Sequence, residues 1–291
     1  MLLHNKYFFK YTFFCIVIFI SLPTVVFAGG LLKVDFLDIG QGDAIYIETP
    51  SGHQMIIDGG PRDNLTKVLS EVMPFGDKSV DVIVITNPDA DHISGFISLL
   101  KQYDIGSVIE PGTLSESKTY KELVSLIKKE SCPHLIARKG MYIILDKENQ
   151  IYFEILFPDQ NVLKWKRNDG SIVGRIVYGE TSIMMMGDAT IRTEGIILFN
   201  NDKSKLKSTV LKIGHHGSKT SSGIDWLGVI DPSLAIISAG KNNRYGHPHQ
   251  EVLRRLIDLS IPHLGTYKEG TVHIVSDGKT IKQIRSKNAS K

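Results

Sequence analysis

Short apolar runs alternate with amphipathic ones along this chain, and the spacing inside each run separates strands from helices. Leu31–Leu37, Ala44–Glu48 and Gln54–Asp58 are β-rich and are split by Gly40-Gln41-Gly42 and Pro50-Ser51-Gly52, which predicts a meander. Apolar residues at 65, 68, 69 and 72 have helical spacing and predict a helix over Asn64–Val72; Asp81–Thr86 then returns to a strand. His92–Leu100 and Tyr120–Lys129 read as helices, and Met141–Leu145, Tyr152–Phe157, Ile172–Tyr178 and Ser182–Met186 as strands. Farther on come a strand at Val210–Ile213, a helix at Ile224–Ile230, a strand at Leu234–Ser238 and a helix from Gln250 to Leu259. Two halves with the same β-then-α rhythm, and strands apolar on both faces, predict an α/β architecture of two packed sheets with helices outside. No Pro/Ser/Gly-rich linker divides the stretch from about Leu31 to about Ser286, so one domain is expected.

The first residues follow another pattern. Lys6 and Lys10 precede an apolar run from Tyr11 to Leu22, then Pro23, then Val26-Phe27-Ala28 before Gly29, the order of a secretory signal peptide. A membrane anchor needs about 20 apolar residues, and Ser21 and Pro23 interrupt the run. Residues 1–28 are therefore expected to be a cleaved leader and 29–291 a periplasmic or secreted protein with no stable membrane insertion.

Charge and cysteine content narrow the partners. Loss of Lys6 and Lys10 with the leader lowers the formal charge from +3 to +1, so contact with nucleic acid must come from local clusters. Cys15 leaves too, and Cys132, beside Pro133, reads as a half-buried structural thiol. Lys279, Lys282, Arg285, Lys287 and Lys291 form a basic tail that reads as a solvated, fraying end.

Candidate chemistry gathers where strands end. In Ile85-Thr-Asn-Pro-Asp-Ala-Asp-His-Ile-Ser-Gly-Phe96, alternation on a loop lets Asn87, Asp89 and Asp91 converge, with His92 beside them. Carboxylates two apart repel unless a metal or an arginine compensates; the other reading is a helix N-cap. Met186-Gly187-Asp188-Ala189 ends a second strand with a carboxylate, and Lys212-Ile-Gly-His215-His216-Gly-Ser218-Lys219-Thr220 ends a third with paired histidines. Arg244-Tyr245-Gly246-His247-Pro248-His249 follows a fourth. Five of the ten histidines thus lie on rim loops, a crowding that neutral packing does not require.

In this order, GQGDAIYIETPSG, IIDGG, TNPDADHISG, GDA, VLKIGHHGSKTSS and ISAGKNNRYGHPHQEVL resemble the metallo-β-lactamase superfamily. More narrowly, from about Lys33 to Leu256 the chain resembles the soluble hydrolase domain of bacterial competence DNA-uptake (ComEC-like) proteins. The resemblance implies a single-domain, four-layered αββα sandwich with its site along one edge of the two sheets. It implies one or two divalent metal ions held by Asp89, Asp91, His92, Asp188 and His215, Asp188 bridging two cations and Asp91, His92 and His215 completing one site. Asn87 stands where the family has a histidine and offers at best a weak carbonyl ligand, which favours Mn²⁺ or Mg²⁺ over Zn²⁺. Asn168–Ser171 matches the segment that replaces the superfamily's middle histidine, and Asp58 matches an aspartate that supports the metal loop from behind.

The implied activity is that of an exported phosphodiesterase or nuclease acting on DNA or RNA through a metal-activated water. Asp91, His216 and His247 are the catalytic candidates, with His216, His247 or His249 protonating the leaving oxygen or stabilising developing charge. Ser218, Lys219, Arg244 and His249, with Lys212, Thr220 and Ser221, are candidates for holding the phosphate, and Tyr245 for stacking a base. Two other readings stay open: a hydrolase of a small ester, lactone or lactam, and a catalytically degenerate nucleotide- or protein-binding module in which Asn87 has emptied the site. Nothing in the sequence points to an oligomeric state.

Overall fold

The computed structural model describes residues 30–61 and 64–284. The leader and the basic positions Arg285, Lys287 and Lys291 lie outside the described residues. The first half runs β1 (Leu32–Phe36), β2 (Ala44–Glu48), β3 (Gln54–Gly59), α1 (Leu65–Leu69), β4 (Ser79–Val80), β5 (Val82–Val84), α2 (Ala90–Leu99), β6 (Asp104–Ile105), β7 (Val108–Glu110), α3 (Lys118–Glu130) and β8 (His134–Ile136). The second runs β9 (Tyr142–Asp146), β10 (Ile151–Phe157), β11 (Val173–Tyr178), β12 (Thr181–Met185), α4 (Ile191–Asn200), β13 (Val210–Lys212), α5 (Ile224–Ile230), β14 (Leu234–Ile237), α6 (Gln250–Asp258), β15 (His263–Gly265), α7 (Thr266–Glu269), β16 (Val272–Ser276) and β17 (Ile281–Ile284).

One sheet has the order β17-β16-β1-β2-β3-β5-β7-β8 and the other β15-β14-β13-β12-β11-β10-β9, with β4 and β6 as a separate small pair. Each sheet is antiparallel over its hairpins and parallel where helices cross over, from β3 to β8 in the first and from β12 to β15 in the second. Strand alternation sorts the side chains: Ile45 and Ile47 of β2 face the other sheet, meeting Phe153, Ile176 and Ile183 in the central core, while Ala44 and Tyr46 face the helices. Leu65, Phe96, Leu99, Leu123 and Ile127 cover the outer face of the first sheet, and Ile197, Trp226, Leu227 and Leu256 that of the second. The result is the expected α/β, four-layered αββα sandwich.

Phe96 fixes α2 against β3, where a Cβ on Gly59 would fall 2.8 Å from the Phe96 nitrogen. Phe96 is wholly buried; its loss to alanine costs about 3–5 kcal/mol and loosens the helix that carries Asp91 and His92.

Three expectations change. The first helix ends at Leu69 rather than Val72. The chain after Asp277 does not fray at once: Ile281–Ile284 pairs with β16, which itself pairs with β1, so Lys282 sits on a sheet edge. The strands β7, β8, β15 and β16 were not expected. Cys132 is half-buried, as expected, against the helical side of the first sheet. No helix among the described residues is long and apolar enough to cross a membrane.

Candidate metal centre

The functional loops leave the C-terminal ends of β1, β3, β5, β10, β12, β13 and β14 and meet at one rim of the sandwich. At the end of β3, Asp58 adopts φ 60°, a left-handed conformation that is costly for a residue with a Cβ. Its buried carboxylate accepts from the Thr86 N–H at 2.8 Å, from Thr86 Oγ1 at 2.6 Å and from His92 Nδ1 at 2.8 Å. The Asp58 contact therefore holds a proton on Nδ1, and Nε2 turns inward.

His216 is set in the same way by other groups. Its Nδ1 donates to the Ser238 carbonyl at 3.1 Å and lies 3.1 Å from Asp43 Oδ1, so Nε2 again points inward. Asp43 belongs to the turn between β1 and β2, and its other oxygen pairs with Lys212 Nζ in a contact closed to solvent. Burial pushes the Asp43 carboxyl up, but Lys212 and His216 outweigh it and hold the group at about 2. That turn closes on α2 because Gly42 has no side chain: a Cβ there would stand 2.3 Å from the Asp91 carbonyl oxygen, the acceptor of the Asp43 N–H.

The two rings and two carboxylates converge. His92 Nε2 faces Asp188 Oδ1 at 3.2 Å, and His216 Nε2 stands 3.4 Å from Asp91 Oδ2 and 3.5 Å from Asp188 Oδ1. Ligand atoms of Asp91, His92 and His216 lie within 4.8 Å of one another, as do those of Asp43, Asp188 and His216 and those of Asp43, Asp58 and His92. His92 Nε2, His216 Nε2 and Asp188 Oδ1 are all buried, and none has an aligned hydrogen-bond partner. Two imidazole nitrogens and two carboxylate oxygens around one point are a donor set that fits a divalent cation.

Charge within the cluster is balanced by protons. Burial works against the His92 imidazolium, but Asp188 and Asp58 raise its pKa well above the usual histidine value. His216 is likewise lifted to about 9 against burial by Asp188 and Asp43. Asp188 is pulled well below the ordinary carboxylate range by His92 and His216, although burial alone would raise it.

Sequence matching had placed His215 with Asp91 and His92, whereas the structure puts His216 there. His215 and His216 both adopt left-handed φ values, 47° and 55°, and their ring planes lie 69° apart. Only His216 is thereby turned into the buried cluster, so it is not placed as a free proton donor. His215 Nε2 instead lies 3.7 Å from the other Asp188 oxygen and 3.4 Å from Asn168 Nδ2, while its Nδ1 is 3.1 Å from Thr220 Oγ1.

Asn87 is turned away from a ligand role. Its Oδ1 accepts the Asp89 N–H at 2.9 Å, and its Nδ2 donates to Asn168 Oδ1 at 3.0 Å and to Ser171 Oγ at 3.3 Å. A backbone N–H can only donate, so this amide orientation is fixed. Asp89 occupies the N-cap position of α2 without capping it; its Oδ1 pairs with Arg167 Nε at 2.7 Å.

Several expected phosphate contacts serve the scaffold instead. Lys212 is spent on Asp43, Ser221 donates to the Gly214 carbonyl, and buried Ser218 pairs with Thr220. His249 starts α6 and accepts the Lys219 N–H at 3.0 Å. Lys219 and Arg244 keep exposed side chains. Beside the cluster lies a cleft of about 410 Å³ lined by Gln41, Pro61, Ala90, Asp91, Asn243, Arg244 and Tyr245. The Arg244 guanidinium lies 4.9 Å over the Tyr245 ring, which stacks on His247 at 5.6 Å. Burial and the neighbouring His216 and His215 lower His247 to about 4. Asp43 and Arg167 were missed from sequence. The lysine that ends the buried, otherwise apolar strand β13 was a signal for a buried carboxylate such as Asp43, whereas nothing local marks Arg167.

Comparison with known proteins places this geometry. The model of the metallo-β-lactamase superfamily matches residues 37–241. ComE operon protein 3 of Bacillus subtilis is 34% identical over 258 residues, covering 82% of this chain and 32% of that protein. Recombination protein 2 of Haemophilus influenzae is 29% identical over 262 residues, covering 88% and 30%. The chain thus spans about a third of the length of these curated relatives. Among solved structures, the metallo-β-lactamase fold protein YhfI of Bacillus subtilis matches with a TM-score of 0.52 at 9% identity, over 80% of this chain and 95% of that one, a likeness of fold alone.

Proposed function

Because the chain belongs to the metallo-β-lactamase superfamily, we propose that it is an exported, metal-dependent phosphodiesterase acting on the backbone of DNA or RNA. One observation carries the reading: three buried polar atoms, His92 Nε2, His216 Nε2 and Asp188 Oδ1, converge beside Asp91 with no hydrogen-bond partner. His92, His216, Asp188 and Asp91 are the residues that would hold the ion, which would supply Lewis acidity to a water nucleophile and to a phosphoryl oxygen.

The chain's own groups do the rest. Asp58 and Asp43 fix the two imidazoles so that little reorganisation accompanies the reaction. Asp91 lines both the cluster and the cleft, so its carboxylate is placed to hold the nucleophile's proton. Arg244 presents a guanidinium on the cleft wall for the phosphate, and Tyr245 a ring for a base. A relative named as a recombination protein supports a nucleic-acid substrate. Export rests on the leader pattern of residues 1–28.

The test is a substrate panel: chelated protein given Mn²⁺, Mg²⁺ or Zn²⁺, assayed on a chromogenic phosphodiester, single- and double-stranded DNA, RNA, a small ester and a β-lactam. Turnover of the phosphodiester and a nucleic acid is expected. Turnover confined to the ester or lactam refutes the substrate class, and no turnover with any metal leaves a binding module.

A further inference from the structure

We infer that this centre holds a single divalent ion, and that the Arg167 guanidinium occupies the place a second cation would take. The inference rests on the metal-dependent reading above and concerns only how many ions that reading needs. His92 Nε2, His216 Nε2 and Asp188 Oδ1 are buried without an aligned hydrogen-bond partner and lie beside Asp91, whereas Asn87 and Asp89 have partners of their own.

Asn87 uses its oxygen on the Asp89 N–H and its nitrogen on Asn168 and Ser171. Asp89 is committed to Arg167 Nε at 2.7 Å, a charge-assisted bond as short as such pairs become. What remains is His215 Nε2 and Asp188 Oδ2, 3.7 Å apart, with the Asn168 amide 3.4 Å from the same ring nitrogen. Asp89 keeps its second oxygen, but among the described residues no third carboxylate or imidazole atom lies within 4.8 Å of this pair, short of the three protein ligands a catalytic ion ordinarily takes. Among the described residues, no group of ligand-bearing side chains within 4.8 Å of one another includes Asp89 or His215.

Arg167 is not placed by chance. Its Nη1 donates to Ser115 Oγ at 3.3 Å, and the turn it leads is pinned to α4 by Asp169, which accepts from Thr190 Oγ1 at 2.6 Å and from Arg192 at 3.3 Å. Asp89 and Asp91 need positive charge between or beside them. The Arg167 guanidinium supplies it to Asp89 from the chain itself, where an exchangeable ion would supply it only when bound.

The test counts ions in the full chain after chelation and equilibrium dialysis against Mn²⁺, by elemental analysis, with electron paramagnetic resonance reporting exchange coupling between neighbouring ions. One ion per chain and a spectrum without coupling are expected. Two ions of similar affinity would overturn the inference while leaving the proposed function standing; no ion at all would sink both. The double variant Asn87→His with Arg167→Gln is expected to take up a second, coupled ion, at an affinity about 10–100-fold above any second binding in the parent. Arg167→Lys, which keeps the charge and controls for folding, is expected to stay at one. If the double variant, folded by circular dichroism, still binds a single uncoupled ion, Arg167 does not hold the second place.

Discussion

Removing the Asp43 carboxylate tests whether the buried charges behind the cluster are a structural pair, a ligand-orienting device, or both. Lys212 and Asp43 are 1% and 2% exposed, and among the described residues Asp43 is the only carboxylate paired with Lys212. Asp43→Ala therefore leaves a buried ammonium uncompensated, a loss of about 3–5 kcal/mol, or roughly 6–20 °C in Tm for a domain of this size. Asp43→Ala with Lys212→Met removes both charges together and is expected to recover at least about 2 kcal/mol of that loss. Metal binding does not recover in the same way, because His216 Nδ1 has lost the carboxylate at 3.1 Å that backs it; affinity is expected to stay about 10–100-fold below the parent. Stability is read by urea unfolding in chelator, since bound ion would itself stabilise the fold, and affinity by competition with a chromophoric chelator. A single variant within about 1 kcal/mol of the parent, or a double variant as unstable as the sum of its singles, would refute the reasoning.

Three further outcomes follow from the geometry. His216→Ala is expected to abolish metal retention and His215→Ala to preserve it, read by elemental analysis; equal losses would mean that both rings ligate. Glu194 of α4 is pushed up to about 7 by burial, against the pull of the Gly223 and Ser222 N–H groups and Arg255. The folded chain then binds the extra proton between about 4.5 and 7, so stability falls as pH rises through that window, by roughly 3 kcal/mol; Glu194→Gln should flatten that slope in chelated protein, and an unchanged slope would remove Glu194 as its source. Arg244→Ala should raise KM for a phosphodiester several-fold with kcat and metal content unchanged, and a fall in kcat alone would place Arg244 in the chemistry rather than in binding.

Strands buried on both faces were easy to read, because runs such as Val82–Val84 or Leu234–Ile237 have no other reason to be apolar throughout. β15 is three residues long, and β16 and β17 belong to the first sheet only because the chain's end pairs with its beginning, a contact no local pattern announces. Val272–Ser276 does alternate buried and half-buried positions, yet the lysines that follow suggested a loose tail. At the site, charged residues at the ends of apolar strands, such as Asp58 and Asp188, had no packing role to explain them. Which of two adjacent histidines turns inward was illegible, because it depends on two consecutive left-handed residues. The engagement of Asn87 and Asp89 was hidden too, since their partners, Asn168, Ser171 and Arg167, lie far along the chain.

The most direct measurement is hydrolysis of a chromogenic phosphodiester by chelated protein as Mn²⁺ or Zn²⁺ is returned, run beside Asp188→Ala. The account predicts no turnover without metal, turnover that rises and saturates with bound ion, and neither binding nor turnover in the variant. Full metal binding by the parent with no turnover of any phosphodiester, or undiminished turnover by Asp188→Ala, would contradict it.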